Sequence, residues 1–465
     1  MSNSDSILIS NGYLLTLNPE RKIIKDGAVY IEGTKIVDVG KSENLSKHSA
    51  DRVIDARGGI IMPGLIDTHI HLAQALIRGC ADDVALVDWL KKYVWVLQGN
   101  FTELDGKASA ELCMAEMIKS GTTSFIECMI HTRYGFDGIA RAVERIGMRA
   151  ALSKIIMNST GYADSPDIMY PGMVEDEKAC LRETKEMLHK WHGRADGRLQ
   201  VWYGLRSLGA VTDDLFEKVV HLADEHETHM TMHLGEVVDD VRYVKDKGYD
   251  NLTSFAEDMG LLRSNMVFAH GIHFEDSEID LLAKTQSNIS HCPASNMKLA
   301  SGFAKVPLML QKGVPVSLGC DGGPSNNTYD MISEMRLAAL IHKAYYNDPL
   351  VIPAEKAIEM ATLGGAKAMG IEDQVGSLEI GKLADIIIIN MDHTGLTPHP
   401  NPVSNLVYAG SGHYVDTVMC NGNLLMLDRE LLTLDEEQIK KQANKQIDSL
   451  LDRADITIEP KWNTQ

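Results

Sequence analysis

Residues 62–71 read Met62-Pro63-Gly64-Leu65-Ile66-Asp67-Thr68-His69-Ile70-His71, an apolar run that ends in His-x-His. Side chains alternate faces along a strand, so His69 and His71 point the same way and both imidazoles can reach one metal ion. A pair alone would also fit two packed core histidines. The placement of other polar residues decides between these readings. His233 follows the apolar Met230-Thr231-Met232 and opens His233-Leu234-Gly235-Glu236. His270 closes Val267-Phe268-Ala269, and Asp321 closes Val316-Ser317-Leu318-Gly319-Cys320. Each of these groups ends a predicted strand, where the active sites of (β/α)8 barrels assemble. Three imidazoles and one carboxylate suit Zn2+, with Fe2+ or Mn2+ as alternatives.

His229 and His233 also have the i, i+4 spacing of a metal-binding pair on a helix. The helix predicted over 215–225 ends before Thr228, however, and 229–233 alternates like a strand. His226 and His229 are therefore expected to be solvated or packing residues.

Outward from this motif, short apolar strands are predicted at 60–69, 122–127, 149–153, 199–203, 229–233, 266–270, 288–291 and 314–319. Helix-length segments such as 138–147 separate them, the mark of βα units and a parallel sheet. Their number favours a closed barrel over an open sheet. The first sixty residues differ: Gly27-Ala28-Val29-Tyr30-Ile31 meets Ile36-Val37-Asp38-Val39 across a short turn, a hairpin pattern. A β-rich texture returns at Ile386-Ile387-Ile388-Ile389 and Val415-Asp416-Thr417-Val418. The expected architecture is α/β: a TIM-type (β/α)8 catalytic domain over 61–370, and a small β-sandwich formed by 1–60 and 371–465. The second part ends in a polar-faced helix over 435–453. No Gly-x-Gly-x-x-Gly or Walker pattern follows any predicted strand, which weakens a nucleotide-cofactor reading.

Hydrophobic residues make up 44% of the 465, enough for a packed core, so a disordered chain is excluded. Asp and Glu number 65 against 45 Lys and Arg, a formal charge of −20 that argues against a nucleic-acid partner. The seven cysteines are scattered and contain no CxxC pair, which points to a reducing compartment. The opening Met1-Ser2-Asn3-Ser4-Asp5-Ser6 lacks the basic and apolar regions of a signal peptide. No segment approaches ~18 uninterrupted apolar residues, so no membrane span is expected and a cytoplasmic location is.

Several stretches carry a resemblance. They are Ser290-His291-Cys292-Pro293-Ala294-Ser295-Asn296-Met297-Lys298-Leu299, Leu318-Gly319-Cys320-Asp321-Gly322-Gly323-Pro324-Ser325-Asn326-Asn327, and Gly376-Ser377-Leu378-Glu379-Ile380-Gly381-Lys382-Leu383-Ala384-Asp385. With the His-x-His strand and Trp89, they resemble the amidohydrolase superfamily. The branch is that of adenosylhomocysteine/methylthioadenosine deaminase, guanine deaminase and the s-triazine hydrolases (atrazine chlorohydrolase-like). The resemblance implies that His69, His71, His233 and Asp321 bind one divalent metal per chain, Zn2+ or else Fe2+. Binuclear relatives use a bridging lysine, but Lys154 follows an early strand rather than the expected one. The resemblance further implies that Glu236 shuttles protons and that His270 contacts water or substrate. Asp321, besides binding metal, would accept a proton. A homodimer or higher homo-oligomer is also implied.

On the substrate side the resemblance points to Gln74, Trp89, Gln98, Arg206, His273, His291 and Asn327. Ser295, Asn296 and Asn327 are expected to fix the loops around Asp321, and His131 to approach the ligand. Guanine deaminases resemble the chain at Gln74 and Arg206, which would read the edge of an oxo-bearing ring; for Arg206 a plain salt bridge is the competing reading. Gln98 stands where the adenosylhomocysteine deaminases have a ribose-gripping glutamate, and Arg206 replaces a histidine of theirs. The expected activity is therefore hydrolytic deamination of a nitrogen heterocycle, such as guanine or a related purine, pterin or triazine, with water and the ring as reactants and ammonia released. The alternatives are an s-triazine chlorohydrolase or alkylaminohydrolase, an adenosylhomocysteine/methylthioadenosine deaminase, and a non-catalytic barrel used for assembly.

Overall fold

The apolar run leading to His-x-His divides between two sheets. In the computed structural model, which describes residues 6–459 and Trp462, β5 (Ile60–Pro63) is separated from β6 (Leu65–His71) at Gly64. A Cβ on Gly64 would stand 2.2 Å from the Thr123 hydroxyl, so the crossing needs a residue without a side chain. The single strand expected over 60–69 is thus two strands in two layers. Met1 to Asp5, read above for a targeting signal, lie outside the described residues.

β5 belongs to the sheet built from both ends of the chain. Its partners are β1 (Ser6–Leu15), β2 (Ile23–Glu32), β3 (Lys35–Lys41) and β4 (Arg52–Asp55). From the other end come β15 (Ile386–Ile389), β16 (Val415–Cys420), β17 (Asn423–Leu427) and β18 (Glu430–Leu431). The order is β18-β17-β16-β15-β5-β1-β2-β3, with β4 beside β1. The expected hairpin is β2–β3, with Ile31 opposite Ile36. Buried Ile9, Val29, Ile31, Ile61, Ile386 and Ile388 form its core.

The second sheet is parallel and runs in chain order through β6, β7 (Thr122–Ile130), β8 (Arg149–Ile156), β9 (Leu199–Leu205), β10 (Met230–Leu234), β11 (Met266–His270), β12 (Asn288–His291) and β13 (Val316–Leu318). The chain then returns to β6 through the two-residue β14 (Asp321–Gly322), where Asp321 pairs with Ile70 and Gly322 with His71. This return closes the TIM-type barrel. The Thr68 hydroxyl seals the seam, bonding to the Ser290 and Ser317 hydroxyls at 2.7 and 2.8 Å and to the Leu318 carbonyl at 2.9 Å.

The intervening helices follow from their patterns. Phe136–Ile146 buries Phe136, Ile139, Ala140, Val143 and Ile146 on one face and stops at Gly147, whose φ is 100°. The last helix, Glu436–Ala454, buries only Ile439, Ala443 and Leu450 and is N-capped by Asp435. It is tied to the barrel by Arg453–Asp105 and Lys119–Glu436 ion pairs. No helix among the described residues is long and apolar enough to cross a membrane. All seven cysteines are unpaired and buried.

The two sheets are joined by a buried fork. Arg149, at the start of β8, donates through Nε and Nη2 to both carboxylate oxygens of Asp385, each at 3.1 Å, and both side chains are 3% exposed. Asp385 also accepts from the Asn421 amide at 2.7 Å. Burial works against the Arg149 charge, but Asp385 holds its pKa above the ordinary value. Asp385→Ala would leave that guanidinium buried and unpaired, so denaturant titration should show a loss of about 3–5 kcal/mol.

Candidate active site

The barrel's strand ends bring the four expected ligands together. His71 Nε2 lies 3.1 Å from Asp321 Oδ1 and 3.3 Å from His233 Nε2, and His69 Nε2 lies 3.5 Å from the same carboxylate oxygen. The His69 ring centroid is 4.7 Å from that of His233 and 5.2 Å from that of His270. Burial pulls the pKa of His69 down to about 3 and that of His233 well below its ordinary value, so both offer neutral lone pairs. Burial works against the Asp321 carboxylate, but the His69 and His71 imidazoles hold it well below the usual range.

Supporting contacts aim these groups. His233 donates through Nδ1 to the Arg206 carbonyl at 2.9 Å, leaving Nε2 as the donor atom of the cluster. His270 donates through Nδ1 to Asn296 Oδ1 at 2.9 Å. Ser295 and Ser325 donate to Asp321 Oδ2 at 2.6 and 3.0 Å, so Oδ1 is the oxygen that faces the imidazoles. His270 and Asp321 have φ of 72° and 67°, a left-handed backbone that non-glycine residues rarely adopt and that here accompanies polar chemistry. Asp67, below the cluster, accepts from the His69 and Cys320 amides at 3.2 and 3.1 Å, and burial pushes its pKa up to about 7.

Among the described residues, both ring nitrogens of His69 and the Nε2 of His270 are buried without a hydrogen-bond partner. Buried polar atoms are ordinarily satisfied, and a cation at the cluster would satisfy the lone pair of the His69 nitrogen that faces Asp321. The donor atoms of His69, His71, Cys128 and His233 lie within 4.8 Å of one another, as do those of His69, His270 and Asp321. The residues therefore fit a divalent metal ion. The proximity of Cys128 was not read from sequence. Its Sγ stands 3.2 Å from His71 Nδ1, because β7 runs on to Ile130 rather than ending near Glu127.

Glu236 follows β10 and is buried. Its Oε2 accepts from the Tyr162 phenol at 3.1 Å and lies 3.8 Å from His270 Nε2. Arg206 sits just past β9 with its guanidinium 5.8 Å from the Trp95 ring and 5.7 Å from the Tyr162 ring. It is buried, its Nε and Nη1 have no partner, and no carboxylate pairs with it among the described residues, so the salt-bridge reading falls away. Trp89 and Gln98 lie on the helical stretch that carries Trp95, and among the described residues Trp89 Nε1 and both amide atoms of Gln98 are buried without hydrogen-bond partners. Gln74 Oε1, also unpartnered, lies so close to Gly322 that a Cβ there would come within 1.7 Å of it.

Other expected residues are engaged elsewhere. His291 Nε2 faces His342 Nε2 at 3.1 Å, a buried imidazole pair behind the cluster. His273 is half-buried with Nε2 on the Ser301 carbonyl at 3.2 Å, while its amide bonds to the Gly235 carbonyl. Asn327 Oδ1 accepts from Lys298, which also reaches Asp82 and the Pro324 carbonyl, so Asn327 fixes the loop after Asp321. His131 bonds to the Met173 carbonyl and the Arg133 amide, and Lys154 pairs with Glu175 at 2.5 Å. These contacts brace the 157–176 connection. His229 stacks on Trp202 with centroids 4.8 Å apart, in the connection just before β10 rather than on a helix, and His226 Nδ1 meets the Tyr203 hydroxyl at 2.9 Å. Trp95 and Tyr162 are the wall residues that sequence reasoning missed; Tyr162 lies in a connection with no periodic pattern to mark it.

The model of the amidohydrolase family matches residues 60–425. A 5'-deoxyadenosine deaminase of Methanosarcina acetivorans is 38% identical over 453 residues, covering 96% of this chain and 99% of the relative. A 5-methylthioadenosine/S-adenosylhomocysteine deaminase of Thermoanaerobacter pseudethanolicus is 36% identical over 96% of this chain and all of its own length. Among solved structures, an adenosine deaminase of Xanthomonas campestris with bound zinc superposes with a TM-score of 0.89 at 28% identity, over 97% of this chain and 99% of that one. The chain belongs to the amidohydrolase family, as a hydrolase of carbon–nitrogen bonds in cyclic amidines.

Proposed function

We propose that this chain deaminates a purine-type ring, exchanging an exocyclic amine for oxygen from water and releasing ammonia. The observation that carries the reading is Glu236, a buried carboxylate held by Tyr162 beside His270 at the rim of the imidazole–carboxylate cluster. A divalent ion held by His69, His71, His233 and Asp321 would lower the pKa of water at the site towards ~7. The Asp321 carboxylate, whose Oδ1 faces the imidazoles and whose Oδ2 accepts from Ser295 and Ser325, takes the proton that the attacking water gives up. His270, fixed by Asn296, presents Nε2 to the oxygen that is added. Glu236 delivers a proton to the ring nitrogen next to the attacked carbon; the proton held by Asp321 then passes to the exocyclic amine, which leaves as ammonia, and the added hydroxyl returns a proton to the Glu236 carboxylate as it becomes the ring oxygen.

The relatives named above make 5'-deoxyadenosine and methylthioadenosine the first substrates to test. A second reading, an oxo-bearing ring such as guanine or a pterin, is favoured by Arg206. A buried guanidinium with two unpartnered nitrogens, Nε and Nη1, calls for an acceptor, and a ring oxygen or nitrogen edge supplies one. Gln98 in the place of a ribose-gripping glutamate points the same way. An ammonia-release assay over adenine nucleosides, guanine and pterins separates the two. If oxo-rings are turned over, Arg206→Leu should raise their KM roughly 10–100-fold with metal content unchanged. An unchanged KM in steady-state assays would remove Arg206 from substrate recognition.

A further inference from the structure

Tyr162 lies outside every strand, yet its buried phenol reaches Glu236 in the centre of the site. Among the described residues no other side chain donates to the Glu236 carboxylate; His270 Nε2, at 3.8 Å, is beyond hydrogen-bond distance. The loop that carries Tyr162 is itself pinned. Tyr162 and Ser165 exchange two backbone hydrogen bonds of 3.0 Å, and the Ala163 amide donates to the Leu208 carbonyl at 2.9 Å. The Asn158 and Ser159 amides both donate to the Ala210 carbonyl, and Asn158 Nδ2 reaches Thr212 Oγ1 at 2.9 Å. The segment holding this loop is the continuation of Arg206, so Tyr162 is fixed to the same framework as the guanidinium its ring flanks.

We propose that Tyr162 is the positioning residue for Glu236: its phenol holds Oε2 in the orientation from which the carboxylate carries a proton to the ring. The inference rests on the deaminase reading and assigns a role that neither the metal cluster nor the substrate edge requires. Burial and the adjacent Glu236 hold the phenol pKa well above its ordinary value, so Tyr162 remains a donor. The other titratable or charged groups facing Glu236 are His270 at the end of β11, His273 just after it and Asp240 on the helix Val238–Asp246, while Arg206 after β9 faces the Tyr162 ring. Asp240 accepts from the Glu236 amide and so holds its backbone, not its carboxylate.

The test compares wild type, Tyr162→Phe, Glu236→Gln and the double variant on whichever ring wild type deaminates. Tyr162→Phe removes one oxygen and leaves the ring packing in place. It should lower kcat about tenfold or more while KM changes little, since one charge-assisted hydrogen bond is lost. A merely structural tyrosine would keep its effect when Glu236 is already replaced, because its loss would not act through the carboxylate. In the Glu236→Gln background the same change should add little further loss. Wild-type kcat in Tyr162→Phe, or losses that multiply in the double variant, would overturn the inference. A wild-type protein without turnover on any ring would remove the deaminase reading and this inference with it.

Discussion

Glu236→Gln is expected to lower kcat by about 10²–10⁴-fold while metal content stays at the wild-type level. The carboxylate lies beside the cluster rather than inside it. Its Oε2 is occupied by the Tyr162 phenol, and it belongs to neither group of converging metal donors. Glutamine keeps the size and the acceptor for Tyr162 but cannot carry a proton, so the loss should fall on the chemical step. Steady-state kinetics with metal analysis on the same preparation separates this from loss of the ion. Equal losses of metal and activity would place Glu236 among the ligands instead.

His233→Ala should have the larger effect on the metal itself. His233 Nε2 is 3.3 Å from His71 Nε2, and its Nδ1 is locked on the Arg206 carbonyl, so one substitution removes both a donor and the anchor between β9 and β10. Metal content measured by elemental analysis after dialysis should fall well below one ion per chain. Turnover should drop by on the order of 10³-fold or more, as expected when several kcal/mol of charge stabilisation is lost. Full metal occupancy in His233→Ala would show that the remaining imidazoles and carboxylate suffice, and would contradict the four-residue ligand set.

Much of this architecture was legible because periodicity and strand ends are local properties. His69 and His71 share a face by the alternation of a strand, and His233, His270 and Asp321 each close an apolar run, so their convergence follows once the barrel closes. The closure itself was less visible: the last strand is interrupted at Gly319 and Cys320 and resumes as two residues on β6. The division of 60–71 between two sheets was hidden for a related reason, since both halves are apolar and only the contact of Gly64 with Thr123 separates them. Residues that depend on loop paths were not legible. Tyr162 reaches Arg206 from an irregular connection and Trp95 from a short helical stretch, Cys128 reaches His71 through three extra residues of β7, and His291 turns to a histidine on a distant helix. Spacing cannot report such contacts, because they depend on where two unrelated segments meet.

The central claim is that the imidazole–carboxylate cluster and Glu236 together make a metal-dependent deaminase. Ammonia release by the purified protein, before and after chelator treatment and Zn2+ restoration, tests it most directly on 5'-deoxyadenosine, methylthioadenosine, guanine and a pterin. The account predicts ammonia from at least one of these rings, loss of that activity in the stripped protein, and its return with about one ion per chain. Undiminished turnover by the fully stripped protein, or no ammonia from any ring by the metal-loaded one, would contradict it.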